Sequence, residues 1–273
     1  MELFLLVPLV LAGVLIAQSD DDDPSPSDVE GGDGADAVQG TEGGDNLNGG
    51  GGDDLLLGLG GKDLLRGGEG NDLIDGGAGD DEIYGDDGDD AVTGGAGDDR
   101  IFLAGGDDIT RIGDSWDDSG DDFIRGGSGN DILFDFGGSN VIFGDSGDDA
   151  ISGFDQPGTD EPDELFAGKG DDEILLDDGD TATGAAGTDL FTVLVDEADD
   201  QAATITDFDP ASEQLVVLLD ASLGSVDTSA LELRESDGDT EVLLDEQVVA
   251  VLAGVTSVTQ ANLVLSIQDL GTV

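Results

Sequence analysis

Three positions of a nine-residue phrase stay in phase from Gly31 to Thr110. The fourth position is always Gly, from Gly34 to Gly106, and the eighth is aliphatic in every repeat except the last, where it is Thr110. Drift in a low-complexity linker would not keep three columns in register, so the pattern predicts a stacked repeat architecture. The sixth position is always acidic: Asp36, Asp45, Asp54, Asp63, Asp72, Asp81, Asp90, Asp99 and Asp108.

The register continues beyond residue 110 through two longer steps. Asp108 and Asp149 are each followed by a step of fourteen residues, which is one repeat plus five. Later repeats are degraded, and Asn140 stands where the acid is expected. We therefore place the repeat array at residues 31–192, and its later acidic positions are Asp122, Asp131, Asp149, Asp163, Asp172, Asp180 and Asp189.

The repeat chemistry predicts an all-β fold. The eighth residue would point inward from a strand of three residues, and six Gly-rich residues would reverse the chain, since Gly tolerates positive φ and close backbone approach. Two such half-turns make a coil of eighteen residues, and the coils would stack as a parallel β-roll with aliphatic ladders inside. The sixth-position acids should then pair one coil apart, for example Asp72 with Asp54 and Asp90.

Composition indicates that cations belong to this fold. The chain has 67 acidic against 7 basic residues and a formal charge of -60, a repulsion that compact folding must neutralise. Calcium takes six to eight oxygens, and turns rich in Asp and Gly present carboxylates and main-chain carbonyls. We predict several bound Ca²⁺ ions, with all sixteen sixth-position aspartates as ligands. EF-hand calcium sites are disfavoured because no twelve-residue loop with the required acids occurs.

Other chemistries are excluded by missing residues. The chain has no His and no Cys, which removes serine and cysteine triads, zinc hydrolysis and disulfides. Nucleic acid is excluded as a partner because its phosphates are bound by dense Lys and Arg.

The repeat resembles a known family. The segments GGEGNDLID, GGAGDDEIY, GGAGDDRIF and GGSGNDILF are similar to the GGxGxDxUx repeat of the RTX, or haemolysin-type calcium-binding, proteins. The resemblance implies a right-handed, calcium-loaded parallel β-roll in which the sixth-position Asp and turn carbonyls bind calcium. It also implies export from a Gram-negative bacterium. The later segment TITDFDPASEQLVVL looks like the I-x-DF segment that follows the roll in many members.

Regions outside the repeats complete the domain prediction. Residues 1–19 contain the apolar run 3–17, which is too short at about 1.5 Å per residue for a bilayer core and suits a signal or anchor segment. Residues 20–30 are an acidic linker. Residues 193–273 are predicted to form a small C-terminal β domain for capping or secretion, with a hairpin turn at Asp237-Gly238.

One outward column is unusual. The ninth positions of alternate half-turns gather aromatic and Arg residues, which would form a self-stacking ladder, a docking surface for the C-terminal domain, or a stripe that binds carbohydrate or a partner. Trp116, in the first insertion, is either a binding tip or a side chain folded over the coil edge. The column comprises Asn48, Arg66, Tyr84, Phe102, Arg125, Phe143, Phe166 and Thr183.

These observations predict a calcium-binding protein, secreted or at the cell surface, whose roll folds on binding calcium. Its role would be structural or surface-interacting, with a cell-surface polysaccharide or the export machinery as partners besides calcium. We expect no enzymatic activity. The alternative is a calcium-dependent polysaccharide-processing enzyme built on a β-helix.

Overall fold

The computed structural model describes residues 28–110, 120–154, 161–177, 179–195, 201–220 and 231–268. The apolar run 3–17 and Trp116 lie outside these ranges. Within them the chain forms 24 β-strands and a 3-10 helix at Gln260–Asn262. None of the helices in these ranges is long and apolar enough to cross a membrane.

The strands follow one another with short turns along most of the chain. In chain order they are β1 (Asp28–Gly32), β2 (Ala37–Gln39), β3 (Asn46–Gly51), β4 (Leu55–Leu57), β5 (Leu64–Glu69), β6 (Leu73–Ala78), β7 (Glu82–Asp87), β8 (Ala91–Ala96), β9 (Arg100–Gly105), β10 (Ile109–Thr110), β11 (Phe123–Ser128) and β12 (Ile132–Asp135). They continue as β13 (Val141–Ser146), β14 (Ala150–Gly153), β15 (Glu164–Lys169), β16 (Glu173–Leu176), β17 (Thr181–Ala186), β18 (Leu190–Val195), β19 (Ala203–Ile205), β20 (Gln214–Asp220), β21 (Leu231–Ser236), β22 (Asp239–Leu244), β23 (Gln247–Leu252) and β24 (Leu263–Gln268).

Successive strands alternate between two sheets, which confirms the predicted all-β parallel roll. One sheet contains the odd-numbered strands β1 to β19 followed by β23, β22 and β21, and the other contains the even-numbered strands β2 to β20 followed by β24. Strands of the repeat array pair in parallel one coil apart, as in Leu65↔Ile83 and Ile83↔Ile101. The register passes from Ile101 to Ile124, so the five-residue insertion lengthens a turn and leaves the stacking intact.

The core is a narrow ladder of eighth-position side chains between the two sheets. Ile74 on β6 and Ile83 on β7 have no exposed surface, which places consecutive repeats on opposite walls of one core. Thr110, the exception in the sequence pattern, is also buried. Its hydroxyl donates to the carbonyl of Phe134 at 2.9 Å and accepts from the Phe134 N–H at 2.8 Å, so main-chain groups satisfy it.

The strands are longer than the sequence predicted. The expectation of three-residue strands holds for β2 and β4, whereas most strands of the array have six residues, from the seventh position of one repeat to the third of the next. The extra residues remain in the ladder even though the second position has positive φ. Gly68, at φ 116°, pairs with Asp86, at φ 73°. Gly-rich sequence therefore continues the sheet here instead of ending it.

The C-terminal strands extend the roll. Strand β18 runs across residues 192 and 193, where the sequence predicts the end of the repeat array and the start of the C-terminal domain. Strands β19 and β20 then add one strand to each sheet. The predicted hairpin is confirmed: Ser236 pairs with Asp239 across Asp237 and Gly238, whose φ values of 54° and 102° suit a two-residue primed turn. Strand β23 joins β19 and β24 joins β20, both in parallel.

Candidate metal sites

The sixth-position aspartates form two buried ladders that run along the roll. In each ladder, Oδ1 accepts the main-chain N–H of the Asp one coil earlier, as in Asp54 N to Asp72 Oδ1 at 2.8 Å and Asp63 N to Asp81 Oδ1 at 2.8 Å. Partners are 18 residues apart, or 23 where a five-residue insertion lies between them and 17 where the repeat between Asp172 and Asp180 is one residue short. The hydrogen-bond pattern of both ladders therefore continues through these irregular repeats. One ladder comprises Asp36, Asp54, Asp72, Asp90, Asp108, Asp131, Asp149, Asp172 and Asp189. The other comprises Asp45, Asp63, Asp81, Asp99, Asp122, Asn140, Asp163 and Asp180.

The second carboxylate oxygen of most of these residues receives no hydrogen-bond donor. At the first coil Oδ2 still has one, since Asp36 accepts from the Gly32 N–H at 2.7 Å and Asp45 from the Thr41 N–H at 2.5 Å. Further along, Oδ2 is buried and lacks a donor. A buried, ionised carboxylate oxygen without a donor is unfavourable, so each of these oxygens requires either a proton or a cation. The residues in this state include Asp54, Asp63, Asp72, Asp81, Asp90, Asp108, Asp131, Asp149 and Asp172.

A main-chain carbonyl faces the same place as many of these Oδ2 atoms. A Cβ built on Gly76, a first-position residue, would lie 2.6 Å from Asp81 Oδ2 and 2.5 Å from the carbonyl oxygen of Gly94 in the next coil. At Gly76 these two oxygens occupy the space that a side chain would take. Other first positions accept a side chain, since Leu103 and Ala167 stand there and are buried. Two oxygens facing one point fit a hard cation. The same pair recurs at Gly31, Gly40, Gly49, Gly58, Gly67, Gly85, Gly126 and Gly144.

Burial makes the ladders reluctant to ionise by themselves. It raises the pKa of Asp63 and Asp90 to about 7, although the N–H donor on Oδ1 lowers the pKa and neighbouring acids raise it further. A cation beside Oδ2 would reverse this effect by favouring the charged form. Burial likewise raises the pKa to about 6 in Asp72, Asp81, Asp108, Asp131, Asp149 and Asp172.

The donor set suits calcium. Throughout the described ranges, no three acidic side chains converge on one point. A cation in the ladders would therefore take carboxylates from a few aspartates and its other oxygens from turn carbonyls, a mixture that Ca²⁺ accepts with six to eight ligands.

Comparison with known proteins agrees with this donor set. The RTX calcium-binding nonapeptide repeat matches residues 30–65, 57–92, 81–110, 116–151 and 157–191, together more than half of the chain. The chain belongs to the RTX calcium-binding repeat family. No curated protein sequence matches it. Among solved structures, the extracellular lipase LipA from Serratia marcescens matches with 15% identity and a TM-score of 0.27. The match covers 89% of this chain and 40% of the lipase chain, so this RTX chain spans less than half of that lipase.

The RTX roll has a second polar ladder that the sequence reasoning missed. Fifth-position side chains accept the N–H of the fifth-position residue one coil later, as in Asn71 N to Asp53 Oδ1 at 3.0 Å and Asp89 N to Asn71 Oδ1 at 3.1 Å. This exposed ladder points along the axis in the opposite direction to the sixth-position ladders. The signal was present in the sequence, since this position is polar in nearly every repeat. Its acceptors include Asp53, Asn71, Asp80, Asp89, Asp98, Asp107, Asp121, Asn130, Asp148 and Asp171.

The outward aromatic column of the RTX roll is a self-stacking ladder. Tyr84 and Phe102 stack with centroids 5.2 Å apart, and Phe143 and Phe166 stack at 4.7 Å. Phe123, a seventh-position residue that the sequence reasoning missed, fills the gap at 5.6 Å from both Phe102 and Phe143. In this coil the column position itself is Arg125, two residues after Phe123 on β11, and its side chain pairs with Asp145. Arg66 lies 4.8 Å over the Tyr84 ring.

In this ladder Tyr84 stacks on Phe102 and Phe143 stacks on Phe166, so each of these rings has one face covered by a neighbour. The described C-terminal strands join the ends of the two sheets. They meet the column at its last member, where the hydroxyl oxygens of Thr183 and Thr206 lie 2.7 Å apart. Docking of the C-terminal domain along the rest of the column stays a prediction, as does binding of carbohydrate or a partner.

Proposed function

We propose that this RTX chain is an extracellular calcium-binding protein whose roll folds on binding calcium and then serves as a rigid structural or surface-interacting element. The observation that supports this most directly is the row of buried Oδ2 atoms without donors that face a main-chain carbonyl of the next coil, namely those of Asp54, Asp63, Asp72, Asp81, Asp90, Asp131 and Asp149. Seven basic residues against 67 acids are too few to neutralise that row.

Calcium would be held by the sixth-position aspartates together with carbonyls of first-position residues. Bound calcium supplies positive charge and oxygen coordination inside the turns. The chain's own groups supply the rest: Oδ1 of Asp72 fixes the Asp54 N–H, and the buried aliphatic ladder aligns the coils so that Oδ2 and the Gly85 carbonyl meet. Because these groups come together only when the coils stack, binding free energy contributes directly to folding.

Circular dichroism tests the coupling. The full chain in chelator at pH 7 is expected to give a coil spectrum, and millimolar Ca²⁺ should restore the β spectrum, since extracellular calcium modules bind at about 10⁻⁴ to 10⁻³ M. Magnesium at the same concentration is the control, because it demands a tighter octahedral geometry and should be much less effective. A cooperative β spectrum in chelator at pH 7 would refute calcium-gated folding.

We also propose that the role is not catalytic. Glycoside cleavage needs two carboxyls with different surroundings in a cleft. Here the acids lie in ladders where each coil repeats the same contact. The alternative, a polysaccharide-processing enzyme, predicts release of reducing ends or unsaturated products by the calcium-loaded chain, and detection of either would establish it.

Localisation outside the cell is part of the proposal. Free calcium at the concentrations above is found outside cells, so the roll would fold after export. Fractionation of the native cell with and without chelator tests this, and a protein found wholly in the cytosol under both conditions would contradict it.

A further inference from the structure

The acidic ladder does not stop at the last repeat. Strand β18 pairs with β20 so that Leu190 lies opposite Gln214, and this register places Glu213 opposite Asp189. Glu213 is 6% exposed and therefore takes the sixth-position place in a coil formed by the C-terminal segment. It lies beyond residue 191, where the match to the repeat ends.

The oxygens around Asp189 differ from those of the inner coils. Oδ2 of Asp189 is buried, has no donor and lies against Gly184, as the other Oδ2 atoms lie against their first-position glycines. The three atoms nearest to a Cβ built on Gly184 include no carbonyl oxygen, and the side chain of Asp207 bonds to the main chain there. Asp207 accepts the N–H of Gly184 at 3.0 Å and that of Ala185 at 2.7 Å.

A second carboxyl approaches Asp189 from the C-terminal segment. Glu213 lies beside Asp189, immediately before the neighbouring strand β20, both side chains are buried, and Oε2 of Glu213 accepts the Asp209 N–H at 2.7 Å. Two neighbouring buried carboxyls are stable only with a shared proton or a cation between them. Lys and Arg side chains do not fill this role among the described residues, whose ion pairs lie elsewhere.

We propose that Asp189, Glu213 and Asp207 form a terminal Ca²⁺ site that joins the C-terminal strands to the roll. Among the described residues no three acidic side chains converge on one point, so main-chain oxygens would complete the shell of this site. The site rests on the proposed calcium binding of the repeats but adds ligands outside them. It makes the order of β20 and β24 dependent on calcium, although neither strand carries a repeat.

The test compares full-length variants by native mass spectrometry and by hydrogen exchange at graded calcium concentrations. Glu213→Gln is expected to bind one Ca²⁺ fewer than wild type. The calcium concentration needed to protect β20 and β24 should rise roughly tenfold, while that for β5 to β9 changes little. Asp207→Asn should act in the same direction. Glu232→Gln, an equal charge change on an exposed residue of β21, is the matched control and should leave both readouts unchanged.

Two outcomes overturn the proposal. The first is that Glu213→Gln and Asp207→Asn both keep the wild-type calcium count and the wild-type protection of β20 and β24. A shared proton, and not calcium, would then join the carboxyls of Asp189 and Glu213. The second is a loss of protection that is the same at every calcium concentration, because this indicates a purely structural contact. Asp72→Asn distinguishes failure of the terminal site from failure of the proposed function. If both this variant and wild type bind no calcium at all, the calcium binding proposed for the repeats fails.

Discussion

Acidification should partly replace calcium in folding the roll. The perturbation is a change from pH 7 to pH 5 in the presence of chelator. From an ordinary value of 3.8, burial raises the pKa of six ladder aspartates (Asp72, Asp81, Asp108, Asp131, Asp149 and Asp172) to about 6 and that of Asp63 and Asp90 to about 7. A raised folded-state pKa means that the native roll binds protons more tightly than the unfolded chain does. The stabilisation is therefore full below pH 3.8 and is lost as pH rises through 6 to 7.

The magnitude follows from these values. Between pH 7 and pH 5, a carboxyl with a pKa of about 6 when folded and 3.8 when unfolded gains about 1 kcal/mol of folding free energy. A carboxyl with a folded pKa of about 7 gains about 2 kcal/mol. Eight such residues sum to roughly 10 kcal/mol, which is comparable to the whole stability of a typical domain.

The assay is far-UV circular dichroism in chelator as a function of pH, stopped at pH 5 to stay above the isoelectric point near 4.1. A β spectrum should grow between pH 7 and pH 5. Repeating the titration in 1 M salt, where the Debye length is about 3 Å, removes most long-range repulsion and leaves the desolvation effect. A chain that gains no β structure at pH 5 under either condition refutes the reasoning.

An Asn substitution gives the same test at fixed pH. Asn140 already occupies the ladder, accepting the Asp122 N–H at 2.8 Å, and its Nδ2 reaches the Gly138 carbonyl at 3.4 Å. Asp90→Asn should therefore raise the stability of the roll in chelator at pH 7 by up to about 4 kcal/mol and lower its calcium count. Destabilisation both in chelator and with calcium would show that the pKa of Asp90 is not set by burial.

Two further predictions concern single positions. Gly76→Ala places a Cβ against both proposed calcium oxygens and should weaken calcium-induced folding by more than tenfold in a calcium titration. Gly34→Ala, whose Cβ would meet nothing within 4 Å, is the control and should fold at the wild-type calcium concentration. Tyr84→Ala with Phe102→Ala should lower the unfolding free energy of the calcium-loaded roll by about 1 kcal/mol and leave the calcium count unchanged. An unchanged melting temperature together with lost binding to a surface polysaccharide would instead assign the column to partner recognition.

Much of the fold was predictable because the repeat imposes one local solution many times. The column through Asp72 and Asp90 fixed the coil length, and the eighth position fixed the inward face. The structure agrees at both, down to the opposite walls occupied by Ile74 and Ile83. Spacing sufficed here because a parallel stack brings equivalent positions into contact.

The features that were missed depend on contacts between different positions. Phe123 enters the aromatic ladder diagonally from a seventh position, because Arg125 turns away to Asp145. Glu213 continues the acidic column only after a step of 24 residues in a segment without the repeat, so register alone could not reveal it. Strand lengths were underestimated because Gly at positive φ was read as the end of a strand.

The steps of 17, 18 and 23 residues between ladder partners separate two quantities that are usually tied together. Parallel neighbours lie about 4.8 Å apart whatever length of chain joins them. The extent of this protein along its axis is therefore counted in turns, not in amino acids. Segments can be inserted into the turns at the edge of a coil without lengthening the rod. The rod itself can grow only by whole coils.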